Sequence, residues 1–231
     1  MPTMPNAHHI GAISLLEEPL RRRLYDYVRS RTHAVGRDEA ATAVGVSRST
    51  AAFHLDRLEE AGLLTAEYRR LTGRTGRGAG RPAKVYRASE VRLSVSVPES
   101  RYELAGRILA EALDRKRPRD DAEAAVRRAA GRYGLELGRE LRERLHARGR
   151  GALRLAQRVM QELGFEPQRR KGEMVLRNCP FHELAVWHPR LVCAMNHAFV
   201  LGLLSALEQT SVTAELRRDP GYCCVTLTRI A

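Results

Sequence analysis

Two glycines punctuate the run from residue 37 to residue 62, and they restrict its fold more than any other feature. RDEAATAVG (37–45) is a short helix-forming stretch stopped at Gly45, a residue type that enters a left-handed turn without steric cost. Ser47 stands where serine caps a helix start, and the chain then continues as a helix through about Ala61 until Gly62 closes it. On that helix Ala51, Leu55 and Leu58 fall at i, i+4 and i+7, so they share one face and point to a core. Upstream, SLLEEPLRRRLYDYVRS (14–30) repeats Leu16, Leu20, Leu24 and Val28 at steps of four, which predicts a further helix. Helix, tight turn and helix over a small buried face is the helix-turn-helix pattern.

The segment beyond Gly62 selects the subtype. GLLTAEYRRL (62–71) reads as a strand, TGRTGRGAGRP as a loop and AKVYRAS (83–89) as a returning strand, a hairpin wing. Arg69, Arg70, Arg74, Arg77, Arg81, Lys84 and Arg87 are positive, and no acidic residue lies between 69 and 89. A glycine-rich loop carrying arginines can follow a groove and place guanidinium groups on phosphates. The loop is no nucleotide-phosphate cradle, since it lacks GxxxxGK[ST] and opens no helix. The formal net charge of +13 favours a polyanion, nucleic acid before an anionic membrane, over a merely solubilising surface.

VGVSRSTAAFHLDRLEEAGLL, followed by GRGAGRPAKVYR, resembles the winged-helix reader of the ArsR/MarR-like repressor superfamily over roughly residues 14–90. The resemblance implies that the helix after Ser47 enters the major groove of double-stranded DNA. Arg48, Ser49, Thr50, Phe53, His54 and Arg57 are then candidate contacts with Ser47 at the cap, and Arg74, Arg77, Arg81 and Lys84 belong to the wing. Ser47 has a competing duty as the cap, and His54 either meets a phosphate or packs between helices. Phe53 lies off the core face, where an aromatic can meet a thymine methyl. Palindromic sites require two readers, so a homodimer is expected.

The middle of the chain reads as helical. RLSVSVP (92–98) is strand-like, and PESRYELAGRILAEALDR presents Leu104, Ile108, Ala112, Leu109 and Leu113 as a broad apolar face. After a turn at Pro118, residues 120–148 form a helix with Val126, Ala129, Tyr133, Leu137 and Leu141 on one side. GALRLAQRVMQELG (151–164) is another helix, and FEPQRRKGEMVLRNC is a hairpin turning at Lys171-Gly172. The expectation is an α+β protein in four parts. These are a flexible N-terminus (1–13), a winged helix-turn-helix (14–92), a helical linker or dimerisation region (93–150) and an α+β cysteine-containing sensor domain (151–231).

MPTMPNAHHI lacks the basic start and apolar run of a signal peptide. The longest mostly apolar stretch, Ala194 to Leu207, is interrupted by Asn196 and His197 and falls short of the ~20 residues of a membrane helix. A cytoplasmic location away from membranes is therefore expected, and with it thiols rather than disulfides. All four cysteines lie between residues 179 and 224. Cys179 precedes a proline, which makes it a plausible helix N-cap with His182 one turn in and Trp187 and His188 at the rim. Cys193 and His197 sit at i, i+4 on a helix opened by Pro189. VTAELRRDPGYCCVTLTRI reads as a hairpin turning at Pro220-Gly221. Alternation on its last strand turns Cys223 inward with Val225 and Leu227, and Cys224 outward with Thr226 and Thr228.

Cys-Pro, a cysteine near a helix start and Gly-x-Cys on the final strand resemble the SufR-type iron–sulfur repressors over about residues 174–230. The resemblance implies an iron–sulfur cluster on Cys179, Cys193 and Cys223, with His182, His197 or Cys224 as a fourth ligand. Two other readings stay open. Cys179-x2-His182 with Cys193-x3-His197 has the spacing of a tetrahedral zinc site, or the thiols form a redox switch. Alternatively, the cysteines are simply buried apolar side chains. Cys179 and His182 do not make a hydrolytic pair, because no third group orients them and no pocket is evident. The chain thus reads as a non-enzymatic DNA-binding regulator of the repressor type. The competing class is a metal- or cluster-handling protein, distinguished by the absence of sequence-dependent DNA binding.

Overall fold

A computed structural model of the chain describes residues 6–69, 82–116, 118–119, 121–144, 152–207 and 211–229. The chain divides into two compact units, Met1–Val95 and Ser96–Ala231.

The first unit contains α1 (Asn6–Ser14), a single 3-10 turn (Leu15–Glu17), α2 (Pro19–Arg29), β1 (Val35–Gly36), α3 (Arg37–Val44), α4 (Arg48–Glu60), β2 (Leu64–Arg69) and β3 (Ala83–Ala88). The segment expected to be one helix from 14 to 30 is broken at Glu18-Pro19. Proline fits the first helical position because it has no N–H to satisfy, and the Glu18 carboxylate accepts from the Leu20 and Arg21 amides at 3.0 and 2.7 Å. Gly45 and Gly62 adopt φ of +75° and +74°, ending α3 and the turn after α4 as their positions predict. Leu24, Val28, Val35, Ala40, Ala51, Leu55, Leu58 and Tyr86 make the core. The antiparallel sheet has the order β1–β3–β2, with Val35 opposite Tyr86 and Leu64 opposite Ala88. Residues 6–14, expected to be a flexible end, form a helix that buries Ala12.

The second unit contains α5 (Tyr102–Asp114), α6 (Ala122–Arg144), α7 (Ala152–Glu162), β4 (Pro167–Arg170), β5 (Glu173–Leu176), α8 (His182–Trp187), α9 (Pro189–Ala206), β6 (Val212–Leu216) and β7 (Val225–Arg229). Its antiparallel sheet runs β4–β5–β7–β6. The helices read from sequence as a linker share one core with the cysteine-bearing part. Ile108, Ala129, Met160, Phe165, Phe199 and Leu227 all belong to it. The strand-like segment at 92–98 forms no strand; Val97 is exposed and no ladder partner stands beside it. The apolar face of α5 is narrower than expected, with Ala105, Ile108 and Ala112 buried and Leu113 75% exposed.

The tightest packing in this unit is between α6 and α9. It depends on glycine: a Cβ built on Gly134 would lie 2.0 Å from the Phe199 carbonyl oxygen, and one on Gly202 would lie 2.2 Å from the Gly131 oxygen. Helix α9 is long and apolar enough by length and composition to cross a membrane, yet more than half of it is buried inside the protein. Its apolarity serves the packing against α6 and the sheet.

Candidate nucleic-acid interface and cysteine cluster

In the first unit, Ser47 caps α4 by accepting from the Thr50 amide at 3.1 Å, so its oxygen is committed to the helix. Because Ala51, Leu55 and Leu58 are wholly buried, the opposite side of α4 is forced outward. Ser49, Phe53 and Arg57 are exposed there at i, i+4 and i+8, and Phe53 is 58% exposed. Arg48 is exposed at the helix start and pairs with Asp38 at 2.8 Å, a contact weak enough in water to be exchanged for a phosphate or a base edge. His54 turns the other way. Its side chain is only 12% exposed, its Nδ1 accepts from Arg21 Nε at 3.4 Å and the Glu18 carboxylate lies 3.6 Å away. It packs between α2 and α4.

Behind this surface lies a charged network that sequence reasoning missed. Asp56 on α4 accepts from Arg37 Nη2 at 2.9 and 2.7 Å, from the Tyr86 hydroxyl at 2.7 Å and from Lys84 Nζ at 2.8 Å. Lys84 also reaches Glu59 at 2.5 Å. Burial opposes ionisation of Asp56, but the donors Lys84, Tyr86 and Arg37 outweigh it and hold the carboxyl below its usual range. Burial, then the hydrogen bond to Asp56, pushes the Tyr86 hydroxyl up to about 12. Lys84, named from sequence as a wing contact, thus has its charge engaged by α4. The signal available in the sequence was the acidic pair Asp56 and Glu59, three residues apart on the helix that follows Ser47. Arg74, Arg77 and Arg81 lie outside the described residues.

The cysteines of the second unit come from three elements. The Cys179–Pro180–Phe181 turn is anchored by Phe181, whose ring stands edge-on between Phe165 and Phe199 with both centroids 6.4 Å away. Helix α8 begins at His182 with Phe181 as its cap, so Cys179 is not the cap as expected, although its thiol still accepts from the Phe181 amide. Cys193 lies buried on α9. Cys223 donates its amide to the Leu176 carbonyl at 2.7 Å, and the Cys224 carbonyl accepts from the Arg217 amide at 2.8 Å, which fixes this dipeptide between β5 and the end of β6. Both thiols are buried, contrary to the alternation that turned Cys224 outward. The regular strand begins only at Val225, so the period of two does not govern the bend before it.

The four thiols interact in succession: Cys179 with Cys223, Cys223 with Cys224, and Cys224 with Cys193. The Cys193 contact, then Cys223, draws the Cys224 thiol well below its ordinary value. Cys193 is pushed up by that same contact and by burial. Donation from Cys223 lowers Cys179, while Cys223 itself is raised by Cys179, Cys224 and burial.

Asn196, one helical turn after Cys193 and completely buried, directs Nδ2 at the Cys223 sulfur at 3.2 Å and the Cys179 sulfur at 3.9 Å. Its Oδ1 is buried without a partner, which costs about 1–3 kcal/mol. The histidines stand apart. His197 Nε2 lies 2.9 Å from the Ala214 carbonyl oxygen, and His182 is exposed, as is Trp187, which was expected to pack at the rim. Sequence spacing placed His197 over Cys193, but at a shared helix face i+3 competes with i+4, and here Asn196 takes the inner position.

Among the described residues no three His, Cys, Asp or Glu side chains stand ready to hold a metal ion. The donor chemistry nevertheless fits a soft, thiolate-bound group: four reduced cysteines lie in one interior region, with an amide donor on two sulfurs and an acceptor left open. The thiols follow one another rather than surrounding a point, so binding would require their side chains to turn. The Cys2His2 combination is not assembled.

Residues 15–67 match a family model described as a helix-turn-helix domain. No match to a curated protein or to a solved structure was found.

Proposed function

We propose that this chain is a winged helix-turn-helix transcriptional regulator of the repressor type. It binds operator DNA through α4 and its wing, and the sulfur site of the second unit carries the signal. The observation that carries the DNA reading is the outer face of α4, where Arg48, Ser49, Phe53 and Arg57 stand exposed over a buried Ala51, Leu55 and Leu58. The helix-turn-helix match over residues 15–67 supports the same reading. The chain works as a homodimer in a reducing cytoplasmic setting and performs no catalysis. Leu113 and Tyr102, both exposed on α5, offer an apolar surface for the pairing.

The second unit holds an iron–sulfur cluster or a zinc ion through Cys179, Cys193 and Cys223, with Cys224 beside them. Such a group, when bound, supplies a redox- or metal-dependent cross-link between three separate chain segments. The chain's own contribution is to present the sulfurs: the Phe181 anchor holds Cys179, α9 carries Cys193 and the backbone ties on Cys223-Cys224 hold the last two. This reading takes its support from the donor chemistry and from the SufR-type resemblance of the cysteine spacing.

Two measurements test the proposal. Arg48→Ala should relax base preference in a site-selection experiment by about 1–3 kcal/mol at one position, whereas Arg81→Ala should weaken binding to all sequences and flatten its salt dependence. An unaltered selection profile for the first variant would remove Arg48 from the reader. Elemental analysis of anaerobically purified protein should find iron with sulfide, or zinc, and Cys179→Ala should lose it. Metal content unchanged by that substitution counts against the sulfur site.

A further inference from the structure

We infer that Asn196 is a positioning residue of the sulfur site, its amide N–H groups holding the sulfurs of Cys223 and Cys179 as acceptors for a thiophilic metal centre. The inference deepens the proposed reading of the second unit and rests on it.

A carboxamide can turn either end toward a sulfur. The Cys223 thiol directs its own hydrogen to Cys179 and so presents lone pairs to the amide, and a coordinated thiolate, which offers only lone pairs, would accept from the same N–H end. Here Nδ2 faces Cys223 at 3.2 Å and Cys179 at 3.9 Å, from a side chain with no exposed surface. The two sulfurs belong to segments 44 residues apart, and Asn196 is the side chain that addresses both. Oδ1 meanwhile has no partner in the interior. A core that needed only volume would take leucine at this place, because a buried amide with one open end is costly. Two donated hydrogen bonds to sulfur withdraw electron density from it, and such outer contacts fix the orientation and basicity of metal ligands. The sulfurs of Cys193 and Cys224 face each other, and Asn196 also hydrogen-bonds Cys224, so its amide reaches a third sulfur of the site.

The test uses the full chain, reduced and free of oxygen, titrated with cobalt(II) against a competing chelator. The readouts are the sulfur-to-cobalt charge-transfer band and the dissociation constant. Asn196→Leu keeps the volume and removes the donor, so the fold should persist by thermal melting while cobalt(II) affinity falls about 10–100-fold. The charge-transfer band should move to lower energy. Asn196→Asp, which keeps the shape but cannot donate when ionised, should behave in the same way. A second readout needs no variant: in protein loaded with a spin-half cadmium isotope, scalar coupling should appear between the metal and the Asn196 amide protons. Wild-type affinity and an unmoved band in a folded Asn196→Leu protein overturn the role of Asn196 while leaving the sulfur site standing. Absent cadmium coupling does the same. No uptake of cobalt(II) or cadmium by the unaltered protein overturns the sulfur-site reading itself, and this inference with it.

Discussion

Gly134→Leu should destabilise the second unit by about 3 kcal/mol or more and leave it expanded or unfolded at ordinary temperatures. Even a bare Cβ at this position would sit 2.0 Å from the Phe199 carbonyl oxygen and 2.9 Å from the Leu203 nitrogen, both backbone atoms that cannot step aside. Relief requires α6 and α9 to separate, and separation strips contacts from Val126, Ala129, Phe199 and Leu203 along the whole seam. Because Cys193 and Asn196 ride on α9, thiol accessibility should rise in parallel with the loss of stability. Gly106 supplies the control. A Cβ there meets nothing within 4 Å, so Gly106→Ala should be neutral or stabilise by up to about 1 kcal/mol through helix propensity. Thermal and denaturant melts of the two variants check both statements, and equal melts would show that the glycine seam does not set the helix spacing.

Asp56→Ala should cost the first unit about 2 kcal/mol and weaken DNA binding. The carboxylate is the common acceptor for Arg37, Lys84 and Tyr86, which come from α3 and β3. Removing it leaves Arg37 without its carboxylate and Lys84 with Glu59 alone, and an uncompensated cation in a buried setting costs several kcal/mol. The side chain of Asp56 keeps 35% of its exposure, so water recovers part of that. The pH dependence has a definite sign. The folded carboxyl titrates below its ordinary value of 3.8, so its contribution is complete above that value. It drains away as the pH falls through the lower folded value, and Asp56→Ala should flatten this acid limb. A variant that melts like the wild type at neutral pH, or keeps the acid limb unchanged, would show that the network does not place the wing.

The basic charge is not confined to the reader. Sixteen of the 40 Lys and Arg residues and 10 of the 27 Asp and Glu residues lie in residues 1–95, so the net positive charge is shared between the units. DNA reading by the first unit therefore uses only part of what composition offered.

Much of the first unit was legible because its signals are local. Gly45 and Gly62 stop helices by backbone conformation, Ser47 caps by reaching its own third neighbour, and Ala51, Leu55 and Leu58 declare a face by spacing alone. The hairpins at Lys171-Gly172 and Pro220-Gly221 were found in the same way. The break at Pro19 was not, because a continuous apolar period masked a cap that only Glu18 makes visible. For the proposed sulfur site, sequence named the four cysteines, and the neighbours that the fold gives them differ from those that spacing suggested. Local spacing made His182 and His197 companions of Cys179 and Cys193. The tertiary structure instead turns His197 to the Ala214 carbonyl and brings Asn196 to the sulfurs.

By itself, then, the sequence determined the glycine-stopped helix ends at Gly45 and Gly62, the turns, the buried face of α4 and the identity of the thiols, since each follows from a residue's own backbone preference or from neighbours within four positions. Only the tertiary structure decided which distant groups meet. The Asp56 network, the glycine seam between α6 and α9, the burial of Cys224 and the place of Asn196 all join segments many residues apart, and no periodicity within one segment encodes the partner it will find.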